Sequence, residues 1–529
     1  MVVPHGVFAL PRSLTTTRPT TQRRTGVLVV GDSPEGLVTA AELAAAGVPI
    51  TLISTGIPGQ APDRDVDDGL LVPQPETLPS TTATDASAPA DSVPEGSPSP
   101  VSSPGPDSAA DRAADSAAGR AAQDLVDADA DGLRTAEACQ QLAVEAARLP
   151  EWLERCHVRV RIEPADWPHW LRVTRRGHTL AADVGNRMLA RLRITALDNP
   201  DRCRLLAQVT PVDLLTDADG RVCGVRVLSS DGQLVDWLAS AVVLADGGLG
   251  PGWPEQSPSV SHCLAMALRA GAVLSDLEFL SRVELAVPPS ELDLPDVPAI
   301  VLPDRASQAD SEMDWSAWPR LTRLLHGYGL AADAGMARRP GWRLRSGGVV
   351  VDTDGRTTLP GLWAIGGCAA GGSLGGDPGP ALALTQAFVD ARRCAAGILT
   401  AGPQTATAPA ERDRASAPVA EHVWRARVTS ISQALAGPRD HTRLRTCLGE
   451  LARSPWSGAI TPRNLTATSQ FTTAVAVLSA AVARPESRGP HRRADHPQAV
   501  PRWQGRHVQV RVDAAGALHV RVTPADTPH

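Results

Sequence analysis

The chain predicts an α/β fold, a Rossmann-like dinucleotide-binding domain followed by a C-terminal helical bundle domain. Three observations carry this. Residues 26–55, GVLVVGDSPEGLVTAAELAAAGVPITLIST, read strand, glycine turn, helix, strand. An apolar strand running into a glycine pair recurs at 239–248 and again at 361–367. Beyond residue 418, helical patterns replace the strands. The first stretch is the βαβ unit that sets a dinucleotide pyrophosphate on a helix N-terminus, where free N–H groups and the macrodipole favour an anion.

Residues 1–25 hold Arg and Thr but no compact apolar core with a cleavage site, so a disordered tail is expected and not a signal. Val27–Val30 is wholly apolar, as a strand buried on both faces should be. The turn Gly31-Asp32-Ser33-Pro34-Glu35-Gly36 reads G-x-S-x-x-G. Gly31 suits the tight turn and Gly36 close helix–strand packing, whereas Ser33 stands where glycine would admit a phosphate. Asp32 and Glu35 add two acids at that place. A helix over 37–46 ends at Gly47, and a strand over 48–54 ends at Ser54, where many dinucleotide folds carry an acid for the ribose.

Residues 57–130 are rich in Pro, Ser, Ala, Asp and Thr. So few large apolar residues cannot offset an ordering entropy of roughly 1–2 kcal/mol per residue, and a disordered insertion is expected. The nucleotide domain then continues over 131–275. Helices are expected at 135–148, 152–155 and 185–197, and strands at 157–162, 203–209, 212–216 and 222–228. Asp217-Ala218-Asp219-Gly220 is a hairpin turn. Gly271 caps a helix over 264–271, and a strand starts at 277. Residues 287–340 are Pro-rich and irregular, with a helix around 318–328. Strands at 347–352 and 361–365 lead into the glycine-rich 366–380 and a helix at 381–399. A linker over 401–418, a helical domain over 419–500 and a terminal hairpin over 501–529 complete the chain.

A net charge of −7 and a pI near 6.0 give nucleic acid no foothold. All 51 basic residues are arginine, which excludes a Schiff-base lysine. No apolar run approaches the roughly 20 residues that cross a bilayer, so no membrane span and a cytoplasmic location are expected. Eight scattered cysteines without a C-x-x-C pair suit buried thiols better than disulfides or a metal site.

Four segments share one likeness. AVVLADGGLG (241–250), LAMALRAGAVLSDLEF (264–279), SGGVVVDTDGRTTLPGLWAIGG (346–367) and ARPESRGPHRRADHP (483–497) follow one another in the order of one family's motifs. They resemble the FAD-dependent succinate dehydrogenase, fumarate reductase and L-aspartate oxidase flavoproteins. WLERC (152–156), TRRGH (174–178) and the short helical C-terminal domain favour the L-aspartate oxidases. The resemblance implies FAD, held by Gly31, Ser33, Gly36, Ser54, Val212, Gly247, Gly248, Gly366 and Gly367. It further implies an inserted, shortened capping domain over 276–345 and a return of the FAD-binding domain over 346–400. The implied activity is oxidation of L-aspartate to iminoaspartate with oxygen or fumarate, the start of NAD biosynthesis through quinolinate.

The substrate side departs from the family. Its Gln-Phe-His becomes Ser281-Arg282-Val283, the histidine before its Gly-Gly strand becomes Arg343, and the glutamate of T-R-E-G-G becomes Arg176. The arginine, asparagine and serine of GANR-x-x-SNSLLE become Pro378, Leu382 and Ala383, and the acid of the GE turn becomes Gly367. No R-G-E-G-A is found. Arg343, Arg305 and Arg282 are the candidate replacement cations for a small dicarboxylate or amino-acid substrate. The alternatives are a catalytically inactive paralogue that binds or regulates, and a flavin oxidase for a different substrate. The oligomeric state is not legible.

Overall fold

The structure, a computed structural model, describes residues 8–14, 21–56, 69–75, 109–129, 133–175, 179–250, 253–254, 261–287, 300–301, 337–344, 346–370, 379–402, 405–410 and 415–524. Arg176, Arg305, Pro378, the expected helix around 318–328 and most of the expected disordered insertion lie outside these residues.

The centre is a five-stranded parallel sheet, in the order Leu362–Ala364, Ala241–Leu244, Val27–Val30, Ile50–Ile53, Cys203–Leu206. Its middle strand shows why the run had to be apolar throughout. Val27 and Val29 join the core under the helices, while Leu28 and Val30 join the core shared with a second sheet. Successive side chains leave a strand on opposite faces, so both faces here need apolar residues. Helix Pro34–Ala45 covers one face together with Leu180–Asp198 and Pro380–Ala401. The other face meets a four-stranded sheet, Thr21–Arg24, Leu234–Leu238, Val222–Leu228, Thr210–Thr216.

The first of those strands corrects the reading of 1–25 as a disordered tail. Thr21–Arg24 pairs in parallel with Leu234–Leu238. Upstream, Leu10 and Leu14 are buried, and both the Ser13 hydroxyl and the Leu14 N–H donate to Asp213 Oδ2 at 2.9 Å. An edge strand held by backbone bonds needs no apolar alternation, so the sequence pattern carried no signal.

The insertion is corrected at both ends. Leu70–Pro73 is buried and pairs with Trp170–Thr174, which also pairs with Arg161–Pro164. Helix Ala109–Asp127 packs on helix Ala136–Ala146. It buries Ala117, Ala118, Ala121, Ala122 and Leu125, and the carbonyl of Ala121 accepts from the Trp170 indole. Small side chains let two helices approach closely, so burial is achieved with little hydrophobic bulk.

Around residues 280–344 the chain forms a three-stranded antiparallel sheet, Ile300–Val301, Leu280–Val287, Ala337–Leu344. The terminal hairpin is not a separate unit. Arg506–Val512 and Leu518–Pro524 extend a five-stranded sheet through Leu274–Ser275, Gly348–Val350 and Ala369–Ala370. Val508, Val510 and Val512 are buried there, alternating as one face of a strand must.

The helical domain is Glu421–Leu435, His441–Ala452 and Pro462–Ala483. Among the described residues Pro462–Ala483 is the one helix long and apolar enough to cross a bilayer, and 94% of its apolar window is buried inside the protein. Beyond it, the 483–497 signature folds into a buried ionic cluster. Arg484 reaches Glu278 at 2.6 Å and Glu486 at 3.0 Å, and Arg488 also engages Glu486.

Candidate functional site

The three glycine turns expected to carry the cofactor meet at the C-terminal edge of the parallel sheet. Each follows one of three adjacent strands, Val27–Val30, Ala241–Leu244 and Leu362–Ala364. Gly31 is left-handed at φ 115°, and a Cβ there would collide with the Ala245 carbonyl. A Cβ on Gly36 would lie 2.9 Å from that of Ala245, the close helix–strand approach its position predicts. Gly248 and Gly367 are packed backbone to backbone, and a Cβ on either would strike the other turn. Gly247, by contrast, is left-handed at φ 82° with open space where a Cβ would stand.

Ser33 and Glu35 of the first turn each have a structural part. The helix begins at Pro34, with Ser33 as its N-cap accepting from the Gly36 N–H at 3.3 Å. Proline at this position is already set at the helical φ and has no N–H to satisfy. Glu35 does not face an incoming anion. It is buried against Gly366, and burial pushes its carboxyl above the ordinary range, with Ser33 and the Gly367 backbone pulling the other way. Asp390, on the Pro380–Ala401 helix, is pushed up to about 7 by burial, opposed by Gln386 and Arg393. It also bonds the Gly366 backbone. Two buried acids, both with raised carboxyls, thus hold the turn from below.

Ser54 and Val212 are each fixed by contacts within the fold. Ser54 is buried and closes its own turn, its hydroxyl bonding both the N–H and the carbonyl of Gly56. Val212 sits at a bulge between Pro211 and Asp213, its side chain in a small core and its carbonyl held by Arg269. Three residues earlier, the Val209 N–H bonds the Ser54 carbonyl.

Among the candidate cations, Arg282 and Arg343 are not brought together. In the ribbon Leu280–Val287 with Ala337–Leu344, Ser281 lies opposite Arg343 and Arg282 opposite Trp342. Directly opposed residues share a face and neighbours alternate, so the two arginines leave on opposite faces. Arg343 is half-buried beside the buried Ser281, while Arg282 is exposed.

One cluster went unread in the sequence. Asp246, Cys263 and Cys368 converge just beneath the glycine turns, each from a different element. Asp246 and Cys368 are 122 residues apart, and spacing rules that look for neighbouring ligands cannot register such a pair. A weak signal existed, since each residue directly precedes or follows a glycine pair or helix start.

FAD fits the edge the three turns build. Gly247 has open space on its side-chain side, and the Glu35 carboxyl is packed inward against Gly366, away from the mouth of the Pro34–Ala45 helix.

Comparison with known proteins agrees. Residues 95–283 match the family model "FAD binding domain". The chain is similar to L-aspartate oxidase of Streptomyces coelicolor, 29% identical over 436 residues covering 66% of this chain and 73% of that protein. L-aspartate oxidase of Bacillus subtilis is 28% identical over 363 residues, 58% of this chain and 67% of that protein. In structure, the Mycobacterium smegmatis Sdh1 complex in the apo form aligns with a TM-score of 0.70, covering 96% of both chains at 17% identity. A quinol-fumarate reductase with menaquinol molecules aligns at 0.67, covering 96% of this chain and 99% of that one at 18% identity. At such identities the structural likeness carries the fold alone. Motifs, fold and sequence relatives point the same way: residues 95–283 match a FAD-binding family, the chain is similar to L-aspartate oxidases, it shares the fold of the solved Sdh1 and quinol-fumarate reductase chains, and its cofactor is FAD.

Proposed function

We propose that this flavoprotein is an oxidoreductase whose dicarboxylate clamp has been rebuilt, so that L-aspartate is a poor substrate. FAD, when bound, supplies a hydride acceptor for the substrate carbon. The chain's own residues would hold it through the N-terminus of Pro34–Ala45 and through the backbones of Gly247, Gly248, Gly366 and Gly367. The observation that carries the reading is the convergence of these three turns, with Glu35 drawn inward.

On the substrate side, Val283 is apolar and buried, and Leu382 is buried in the core beneath the helices. Neither can donate to a carboxylate. Charge-assisted hydrogen bonds are worth roughly 1.5–3 kcal/mol each, so losing two costs about 3–6 kcal/mol, or roughly two to four powers of ten in rate. Of the two candidate cations within the described residues, Arg343, opposite Ser281, is the half-buried one.

The test is direct. Purified protein should be yellow or become so with FAD, and should release little or no hydrogen peroxide from L-aspartate. Turnover on the order of 1 s⁻¹ would overturn the rebuilt clamp, and its loss in Arg343→Ala would identify the group responsible. The opposed faces of Arg282 and Arg343 favour a second reading, a flavoprotein that binds without turning over. Flavin reduction by no amino acid or dicarboxylate in an anaerobic screen would select it.

A further inference from the structure

Asp246 ends the approach from Ala241–Leu244, Cys263 lies in the first turn of His262–Ala270, and Cys368 follows the Gly366–Gly367 pair. One ligand atom from each lies within 4.8 Å of the other two. Cys368 Sγ is 3.0 Å from Asp246 Oδ1, and the two thiols are in hydrogen-bond contact. Metal–sulfur bonds of about 2.3 Å and metal–oxygen bonds of about 2.0–2.2 Å imply tetrahedral edges of roughly 3.5–3.8 Å. A group confined within 4.8 Å, with one pair at 3.0 Å, is compact enough for a single ion to draw all three atoms to such edges.

The carboxylate is already oriented, as a ligand should be. The Ser261 hydroxyl donates to Oδ1 at 3.0 Å, the Cys263 N–H to Oδ2 at 2.8 Å and the Gly248 N–H to Oδ1 at 3.3 Å. Outer partners of this kind fix a ligand's direction and raise metal affinity. Two thiolates and a carboxylate around a dication leave one negative charge, which the positive end of the His262–Ala270 helix offsets. Asp246 is half-buried while both cysteines are buried, so the carboxylate is the side nearest solvent.

The geometry points to a binding site for a thiophilic divalent cation, zinc by ligand chemistry, formed by Asp246, Cys263 and Cys368. Soft thiolate ligands select zinc and its analogues over magnesium or calcium. The site goes beyond the flavin reading and does not depend on it. It would tie the Gly366–Cys368 turn to the strand end that carries Gly247 and Gly248.

Cobalt(II) titration of the full chain, stripped with chelator under reductant, tests this without any activity readout. One equivalent of Co²⁺ should bind, with thiolate-to-cobalt charge-transfer absorption and tetrahedral visible bands that Zn²⁺ abolishes. Cys263→Ser and Cys368→Ser should each remove the charge-transfer bands or weaken binding at least tenfold, and Cys394→Ser, a buried thiol elsewhere, should change nothing. Absence of charge-transfer bands, or bands unchanged in both serine variants, overturns the site. So does recovery of Cys263 and Cys368 as a disulfide from freshly purified protein. Should the serine variants fail to fold, wild-type alkylation decides. Zn²⁺ must slow labelling of Cys263 and Cys368 but not of Cys394, and equal labelling with and without Zn²⁺ refutes the site.

Discussion

Ser33 and Glu35 belong to one turn but act in opposite directions on cofactor and fold. Ser33 caps the first helix through the Gly36 N–H, a bond that Ser33→Gly removes. Glycine is itself an acceptable N-cap and costs only a few tenths of a kcal/mol. The same change frees an N–H for a phosphate, so Ser33→Gly should tighten FAD while lowering the melting temperature slightly. An FAD titration paired with thermal melts checks both signs. Unchanged or weaker FAD affinity would count against placing the pyrophosphate at this helix.

Asp390 makes the pH dependence explicit. Its carboxyl, ordinarily near 3.8, is pushed up to about 7 by burial, with Glu35 nearby also raised. A folded-state value above the unfolded one means that the contribution of Asp390 to stability is fullest below pH 4. It is then lost progressively as the pH rises to about 7. Asp390→Asn should flatten that decline, visible as a shallower slope of melting temperature against pH between 4 and 7.

At the scale of elements, the legible parts were those whose physics is local. Val27–Val30, Val222–Leu228 and the helix after Ser261 carry their own pattern, a two-faced apolar strand, an alternating strand with a turn, and a glycine-capped helix. Gly31 and Gly36 were legible because only glycine fits them. Pairings across the chain were not, and so Thr21–Arg24 and Leu70–Pro73 passed for unstructured segments. Glu35 was misread for the same reason, since its partner Gly366 lies hundreds of residues away. The insertion gives a corresponding experiment. Deleting 60–125 removes Leu70–Pro73 and most of a packed helix and should destabilise the protein strongly. Replacing 78–106 with a shorter Gly/Ser linker should hold the melting temperature within a few degrees, because about 1 kcal/mol moves a large domain by only about 2–4 °C.

Across the whole molecule, the 483–497 signature turns out to be architectural. Arg484 and Glu278 are both fully buried, and the Arg484 guanidinium lies 4.9 Å from the Phe279 ring and 5.1 Å from that of Trp503. The pair thus joins the strand region near 278 to the C-terminal segment. Removing one partner leaves an uncompensated buried charge, so Arg484→Ala should cost about 3–5 kcal/mol in chemical denaturation. The most specific motif in the sequence therefore reported the fold, while the divergence that bears on chemistry lay in less specific stretches.

The first and last described segments meet. The Leu10 N–H bonds the Gly516 carbonyl, the Leu518 N–H bonds the Phe8 carbonyl, and Ala9 bridges Ala517. On a ribosome adding roughly 5–20 residues per second, the N-terminal segment waits on the order of 25–100 s for that partner to emerge. Phe8, Ala9 and Leu10 stay without these backbone partners for all of that time. Folding of this segment cannot finish by growth from the N-terminus, since the strand it bonds lies some 500 residues later in the sequence.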